Sequence, residues 1–399
     1  MVWASAAAGV ATLALRPRSG LIEPAPVEVR EYFSSEEIDR ARAYQRPQRL
    51  LGLAAMALDG AALTVLALAP PAPVREALDR AGRRPLPGSA AVGAGLSVGF
   101  GVLGLPLAAV RHRRAVKAGI SVQSWPAWAS DVVKASAIGA MLNAGALTGA
   151  MALLRRFPRS WWAPAAGGAT ALSSAFILLS PVLLDPVFNK FEPLPEGDLR
   201  REVLELAEKA GVQVGEVYRV DASRRTTAAN AYVTGLGRTK RVVLFDTLLN
   251  DFPPGEVRSV VAHELSHVRH RDVQRLLAWL GIAAPGGMYL AQQLTDWIAG
   301  ERSEPAPEVL PAFVLSLGVV SFLGGLAGNA LSRRVERRAD TFALELTGDP
   351  HSFIELEKRL AVKALADPQP PRLLQKLLGT HPDAVERIGY AVAYARARS

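Results

Sequence analysis

Val261-Ala262-His263-Glu264-Leu265-Ser266-His267 is the stretch from which the rest of the chain can be read. On a helix, residues four apart share a face, so the imidazoles of His263 and His267 can reach one metal ion. A zinc ion acidifies a water ligand to a pKa of about 7. Glu264, beside the histidines, is placed to take that proton and later deliver it to a leaving amine. Pro253 and Pro254 open the helix, and Val257, Val260, Val261 and Leu265 give it an apolar side. A solvated polar helix with two unrelated histidines would carry no such stripe.

A catalytic zinc takes three protein ligands and keeps one position open. His270 falls on the same stripe as His263 and His267, but a ligand further along a straight helix sits past the metal. Between Arg269 and Arg271, it reads better as a helix-end histidine favoured by the dipole. Glu336 is the stronger candidate. It stands in Arg333-Arg334-Val335-Glu336-Arg337-Arg338-Ala339-Asp340, where Glu336 and Asp340 share a face, so one can ligate while the other orients a ligand histidine. Alone, that helix would read as a solvated Arg/Glu surface; the first motif's need for a third ligand lifts it.

Outward from these motifs the chain is apolar. Half of its 399 residues are hydrophobic and its mean hydropathy is positive. Charge-free runs near bilayer length occur at about 51–69, 88–110, 132–154, 160–184, 276–295 and 309–332, with a shorter one at 2–15. The expected class is therefore a mainly α, polytopic membrane protein of about seven transmembrane helices. Its zincin-like α+β catalytic domain is split by the last two spans. The expected organisation is a membrane region over 1–184, a first catalytic part with the His-Glu-x-x-His helix over 185–275, two further spans over 276–332, and a second catalytic part with the third ligand over 333–399. Within the first part, Leu199–Ala210 reads as a helix. Glu216–Asp221, Ala229–Val233 and Arg241–Phe245 read as strands, with Gly235 and Gly237 turning between the last two. Ser34, Ser35, Glu36 and Glu37 open an amphipathic helix before the second span. Asp59, in mid-span, is either a cavity-lining group or a paired structural carboxylate.

The chain has no cysteine, which excludes disulfides, thiolate ligands, a cysteine nucleophile and S-palmitoylation. The net charge of +9 comes from arginines flanking apolar runs, without the interleaved aromatics of a single-strand binder, so no nucleic-acid partner is expected. With seven spans, the loops on the catalytic side (16–49 and 111–131) hold eleven lysines and arginines against eight in the opposite loops (70–87, 155–159 and 299–307). That bias places the catalytic domain in the cytoplasm. The Ala- and Arg-rich composition points to a bacterial plasma membrane.

Taken together, Val261–His267, the two following spans and Val335-Glu336-x-x-Ala339-Asp340 resemble the CAAX prenyl protease 1 (Ste-type) family of integral-membrane zinc metallopeptidases. Asp185–Leu194, Asn230–Gly237 followed by Val242–Leu248, Thr380-His381-Pro382, Glu386-Arg387-Ile388 and Tyr32–Tyr44 are similar to further segments of that family. The resemblance covers nearly the whole chain. It implies one zinc ion held by His263, His267 and Glu336, with Glu264 as catalytic base and Asp340 behind a ligand histidine. It implies that His381 stabilises the oxyanion and that Arg387 braces that region through a carboxylate. It also implies that peptide substrate lies extended along Asn230, Ala231 and Tyr232 by strand addition. Ser266 stands where the family commonly has glycine. The family's best-known substrates are prenylated C-terminal peptides, so CAAX-type and other membrane-associated peptides are the candidate substrates, beside a lipid bilayer.

The alternative from another class is a non-catalytic polytopic scaffold or membrane quality-control factor with a structural metal site. Such a site has no use for Glu264. The smaller four-span heat-shock membrane proteases share the motifs, but the extra spans before Asp185 and Phe188-Asn189-Lys190-Phe191 argue against them.

Overall fold

A computed structural model of the chain describes residues 2–235, 240–300 and 306–398. Gly237 of the expected turn and part of the expected 299–307 loop lie outside them. The N-terminal half is helical: α1 (Val2–Leu15), α2 (Val29–Tyr32), α3 (Ser35–Leu68), α4 (Ala72–Gly82), α5 (Pro85–Lys117), α6 (Trp125–Arg156), α7 (Trp162–Leu183) and α8 (Asp185–Phe188). The Ser34 hydroxyl accepts from the Glu37 amide while the Glu37 carboxylate accepts from the Ser34 amide, a reciprocal cap that starts α3. Pro47 then sits inside the helix without ending it. The expected amphipathic helix and the second span are thus one continuous element.

Among the described residues, α3, α5, α6, α7 and the helix at Pro307–Thr347 are long and apolar enough to cross a bilayer. The two remaining expected spans are helical too. α1 has 14 residues, fewer than the roughly 20 a span requires. α12 (Asp272–Ala299) is long enough but carries Gln292, Gln293 and Asp296. Both run against α13 (Leu310–Thr347).

The C-terminal half adds β1 (Phe191–Pro193), α9 (Asp198–Lys209), β2 (Glu216–Val220), β3 (Ala231–Thr234), β4 (Arg241–Phe245), α10 (Asp246–Asp251) and α11 (Pro254–Arg269) before α12. It closes with α14 (Pro350–Lys363), α15 (Arg372–Leu378) and α16 (Ala384–Arg396) after α13. The sheet order is β1-β2-β4-β3, with β2 and β4 parallel and the other pairs antiparallel. β3 therefore lies at an edge, beside α11. Strand β1 was not expected, being three residues long and ending in proline. The sheet, α11, α13, α14 and α16 enclose one apolar core containing Val217, Leu244, Val261, Leu265, Leu344 and Tyr390. Burying a Leu or Val side chain there contributes about 1.5–3 kcal/mol.

The expected boundary between the last span and the basic helix is absent. α13 continues through Ser332 and Arg333 for 38 residues, about 57 Å at 1.5 Å per residue. Nothing at the junction breaks a helix; it ends only where Gly348 takes φ 64°. One rigid rod thus carries an apolar span at one end and Glu336 and Asp340 at the other.

A second tie fixes the domain to the membrane region. Thr227 N donates to Ile120 O (3.0 Å) and Val122 N to Arg225 O (3.1 Å). The Arg225 guanidinium pairs with Asp131 at 2.8 Å. The loop between α5 and α6 is thereby joined to the segment that leads into β3.

Candidate metal centre

Helix α11 is held by its apolar face, where Val257, Val261 and Leu265 are buried in the core, and by a buried Glu256 that pairs with Arg359 at 2.9 Å. His263 and His267, one turn apart, are thereby presented towards α13. His263 Nε2 lies 3.2 Å from Glu336 Oε2, His267 Nε2 lies 3.8 Å from Glu336 Oε1, and the two Nε2 atoms are 3.3 Å apart.

The opposite ring nitrogens are spoken for. His263 Nδ1 is 2.8 Å from Asp340 Oδ1 and His267 Nδ1 is 3.1 Å from Asp272 Oδ2. A carboxylate can only accept, so each Nδ1 carries the proton and each Nε2 turns a lone pair inward. Two lone pairs and a carboxylate then face one another, and Glu336 Oε2 is buried without a hydrogen-bond partner. Such a set is repulsive unless a cation sits among it. The spacing fits zinc: bonds of 2.0–2.1 Å in a tetrahedron hold ligands about 3.3 Å apart. Charge says the same. Burial alone would lower the pKa of His263, but Asp340 and Glu336 raise it to about 10, so the surroundings call for positive charge at this spot.

Glu264 forms no hydrogen bond or ion pair with the described residues. Burial pushes its carboxyl up, while His263 and His267 pull it down. Asp340 is completely buried and accepts from Arg387 through Nε (2.9 Å) and Nη2 (2.5 Å). The remaining Arg387 nitrogen, Nη1, donates to Glu357 at 2.8 Å. The Glu357 carboxyl is raised by burial to about 7, with Arg387 opposing the rise. His381, 62% exposed, overhangs the cluster with Nε2 3.3 Å from Glu336 Oε2, and its Nδ1 lies 2.8 Å from the Thr380 hydroxyl.

A cavity of about 160 Å³ opens beside these groups. Asn230, His263, Glu264, Glu357, His381 and Arg387 form its polar side; Leu248, Val260, Phe353, Leu356 and Leu360 form its apolar side. The site residues expected from the sequence thus converge, with two exceptions in side-chain direction. Tyr232 donates its hydroxyl to Asp185 (3.0 Å), and Ala231 is buried on the core side of the sheet, so neither side chain lines the cavity. His270 caps α11 and turns its ring back onto Ser266 (3.0 Å); it is no member of the cluster.

Two residues escaped the sequence reading. Asp272 lies just past a break where Arg271 takes φ 55°, and it also pairs with Arg275 (3.0 Å) and Arg338. Glu357 stands between Glu355 and Lys358, a pattern typical of a solvated helix face.

Residues 193–395 match the family model of peptidase family M48. Residues 21–190 match that of the CAAX prenyl protease N-terminal region, described as five membrane helices. An uncharacterized metalloprotease of Bacillus subtilis (strain 168) is 32% identical over 294 residues, covering 72% of this chain and 69% of that protein. A CAAX prenyl protease 1 homolog of Arabidopsis thaliana is 31% identical over 226 residues, 54% of this chain and 52% of the relative; the matched stretch spans about half of that plant protein. The crystal structure of S. mikatae Ste24p shares the fold, with a TM-score of 0.78 at 20% identity over 98% of this chain and 95% of the other.

Proposed function

Since the chain belongs to peptidase family M48 and is a membrane metallopeptidase, we propose that it hydrolyses peptide bonds with one zinc ion held by His263, His267 and Glu336. The observation that carries this reading is the pair of inward Nε2 atoms facing the Glu336 carboxylate at 3.2 and 3.8 Å, with an unpaired Glu264 beside them. When bound, the ion supplies an electrophile that acidifies water and polarises a carbonyl.

The chain's own groups do the rest. Glu264, adjoining the cavity, accepts the proton of the attacking water and returns it to the departing amine; its upward-shifted carboxyl suits both halves of that task. The exposed His381 donates a hydrogen bond to the oxygen on which negative charge develops. Asp340 and Asp272 fix the ligand rings, and Arg387 fixes Asp340. The free edge of β3 receives substrate as an added strand, so recognition is through the backbone of Asn230–Tyr232. The apolar side of the cavity takes an aliphatic side chain next to the scissile bond.

The substrate class that fits is peptide held at a bilayer, CAAX-type or otherwise; the name of the plant relative supports the former. The surplus of lysine and arginine in the 16–49 and 111–131 loops supports a cytoplasmic catalytic domain in a bacterial plasma membrane.

The test compares wild type with Glu264→Gln and Glu336→Ala in detergent, measuring zinc content and cleavage of quenched lipidated and unlipidated peptides. Glu264→Gln should keep its zinc and lose at least about 100-fold in turnover. Glu336→Ala should lose zinc. Turnover by the Gln variant at the wild-type rate would overturn the base, and wild type without zinc would overturn the metal centre.

A further inference from the structure

A second, polar cavity shares no lining residue with the one beside the metal centre. It measures about 470 Å³ and is lined by residues 14–20, His270, Arg275 and Arg338. Four arginines (Arg16, Arg18, Arg275 and Arg338) face it and no acidic residue lines it. Asp272 pairs with Arg275 and Arg338 but is also committed to His267. Arg338 is buried, and its Nε has no hydrogen-bond partner. Arg16 and Arg18 are exposed and form no ion pair with the described residues. The cavity therefore holds a positive charge that the protein leaves unneutralised.

Its depth is fixed by three apolar helices. Trp279 Nε1 donates to the Thr12 hydroxyl (2.9 Å), which shares its proton between Ala8 O (2.9 Å) and Ala327 O (3.2 Å), setting α12, α1 and α13 at one level. From there α1 reaches Arg16 one turn onward, and α12 has Arg275 one turn back. α13 leaves its apolar run at Ser332 and carries Arg338 about three turns beyond Ala327. Arg16 and Arg275 thus sit where the apolar parts of α1 and α12 end, and Arg338 just beyond the end of α13's, which is headgroup depth. Basic pockets between helices at that depth suit phosphate headgroups.

We propose that this cavity binds the phosphate headgroup of an anionic phospholipid, with Arg16 and Arg18 as its outer clamp and Arg275 and Arg338 as its floor. The floor shares Asp272 with His267, so a bound headgroup would sit one residue removed from a metal ligand.

The proposal is tested by native mass spectrometry of the full chain released from detergent, titrated with phosphatidylglycerol, phosphatidylcholine or inorganic phosphate. The variants are Arg16→Gln/Arg18→Gln and, as a charge-matched control in another exposed loop, Arg83→Gln/Arg84→Gln. Wild type and the control should retain phosphatidylglycerol in preference to phosphatidylcholine. Arg16→Gln/Arg18→Gln should bind it about 25-fold more weakly, at roughly fivefold per basic residue near an anionic headgroup. Equal binding by both double variants, or equal retention of the two lipids, would overturn the proposal. So would inorganic phosphate that displaces phosphatidylglycerol at comparable concentration, which would make this a site for free anions. The readout needs no turnover, so it stands apart from the assignment of the metal centre.

Discussion

In the domain built by α11, α13 and α14, charged groups lie inside: Asp340 is wholly buried, and Glu336, Arg338 and Glu357 are nearly so. In the membrane half the pattern inverts, with Val133 at 67% exposure, Met141 at 65% and Leu172 at 54%. The two regions are folded against different solvents. Water rejects the apolar side chains of the domain and drives them into its core. Lipid tails are as apolar as leucine, so the spans have no reason to bury theirs. The domain can then spend its stability on holding carboxylates and arginines in one network around His263 and His267.

The strongest way to break that contrast is at Arg387. It holds the buried Asp340 and Glu357 together, and removing one partner of a buried ion pair costs about 3–5 kcal/mol. Arg387→Ala should lower the apparent unfolding temperature sharply and loosen zinc, because Asp340 then loses the group that fixes it against His263. The exposed membrane-side pair substitution Arg83→Ala/Arg84→Ala should leave both unchanged. Thermal unfolding and zinc content of the two variants decide it; a tolerant Arg387 would mean that the network adds no stability.

Next in size is a comparison at constant chemistry. Leu244→Ala empties a fully buried position in β4 and should cost about 2–5 kcal/mol. Leu172→Ala, on a lipid-facing part of α7, should stay within about 0.5 kcal/mol, the usual range for surface substitutions. Unfolding followed by tryptophan fluorescence in one detergent would show both. Equal effects would mean that α7 is packed against protein and that the two halves share one kind of core.

The same contrast explains what the sequence disclosed. Spans follow from composition, so the apolar runs were visible; His263, Glu264 and His267 were visible because their relation is local to one helix. That Glu336 would stand against the two histidines was legible through the demand for a third ligand, and that Asp340 would stand near them through its place one turn on. Continuity was harder: the change from apolar to polar at Ser332, and again near Arg49, read as a boundary, whereas a helix stops only for a breaker. His381 and Arg387 carried no signal of their own and rested on the resemblance. Asp272 and Glu357 carried none either, because their roles arise where separate elements meet: one beyond the αL residue Arg271, the other across from α16.

The smallest expected effect concerns Asp59, for which the sequence left two readings. It lies half-buried in α3 and forms no hydrogen bond or ion pair with the described residues. A paired structural carboxylate would leave its partner stranded on replacement and cost a few kcal/mol. A carboxylate facing water loses only its charge. Asp59→Asn should therefore shift stability by no more than about 0.5 kcal/mol, and any shift should be upward, since an amide is cheaper than a charge in a span. A clear loss of stability in the unfolding assay would instead place a partner beside Asp59 and make α3 an exception within the membrane half, with a polar interaction of the kind the domain reserves for its metal centre.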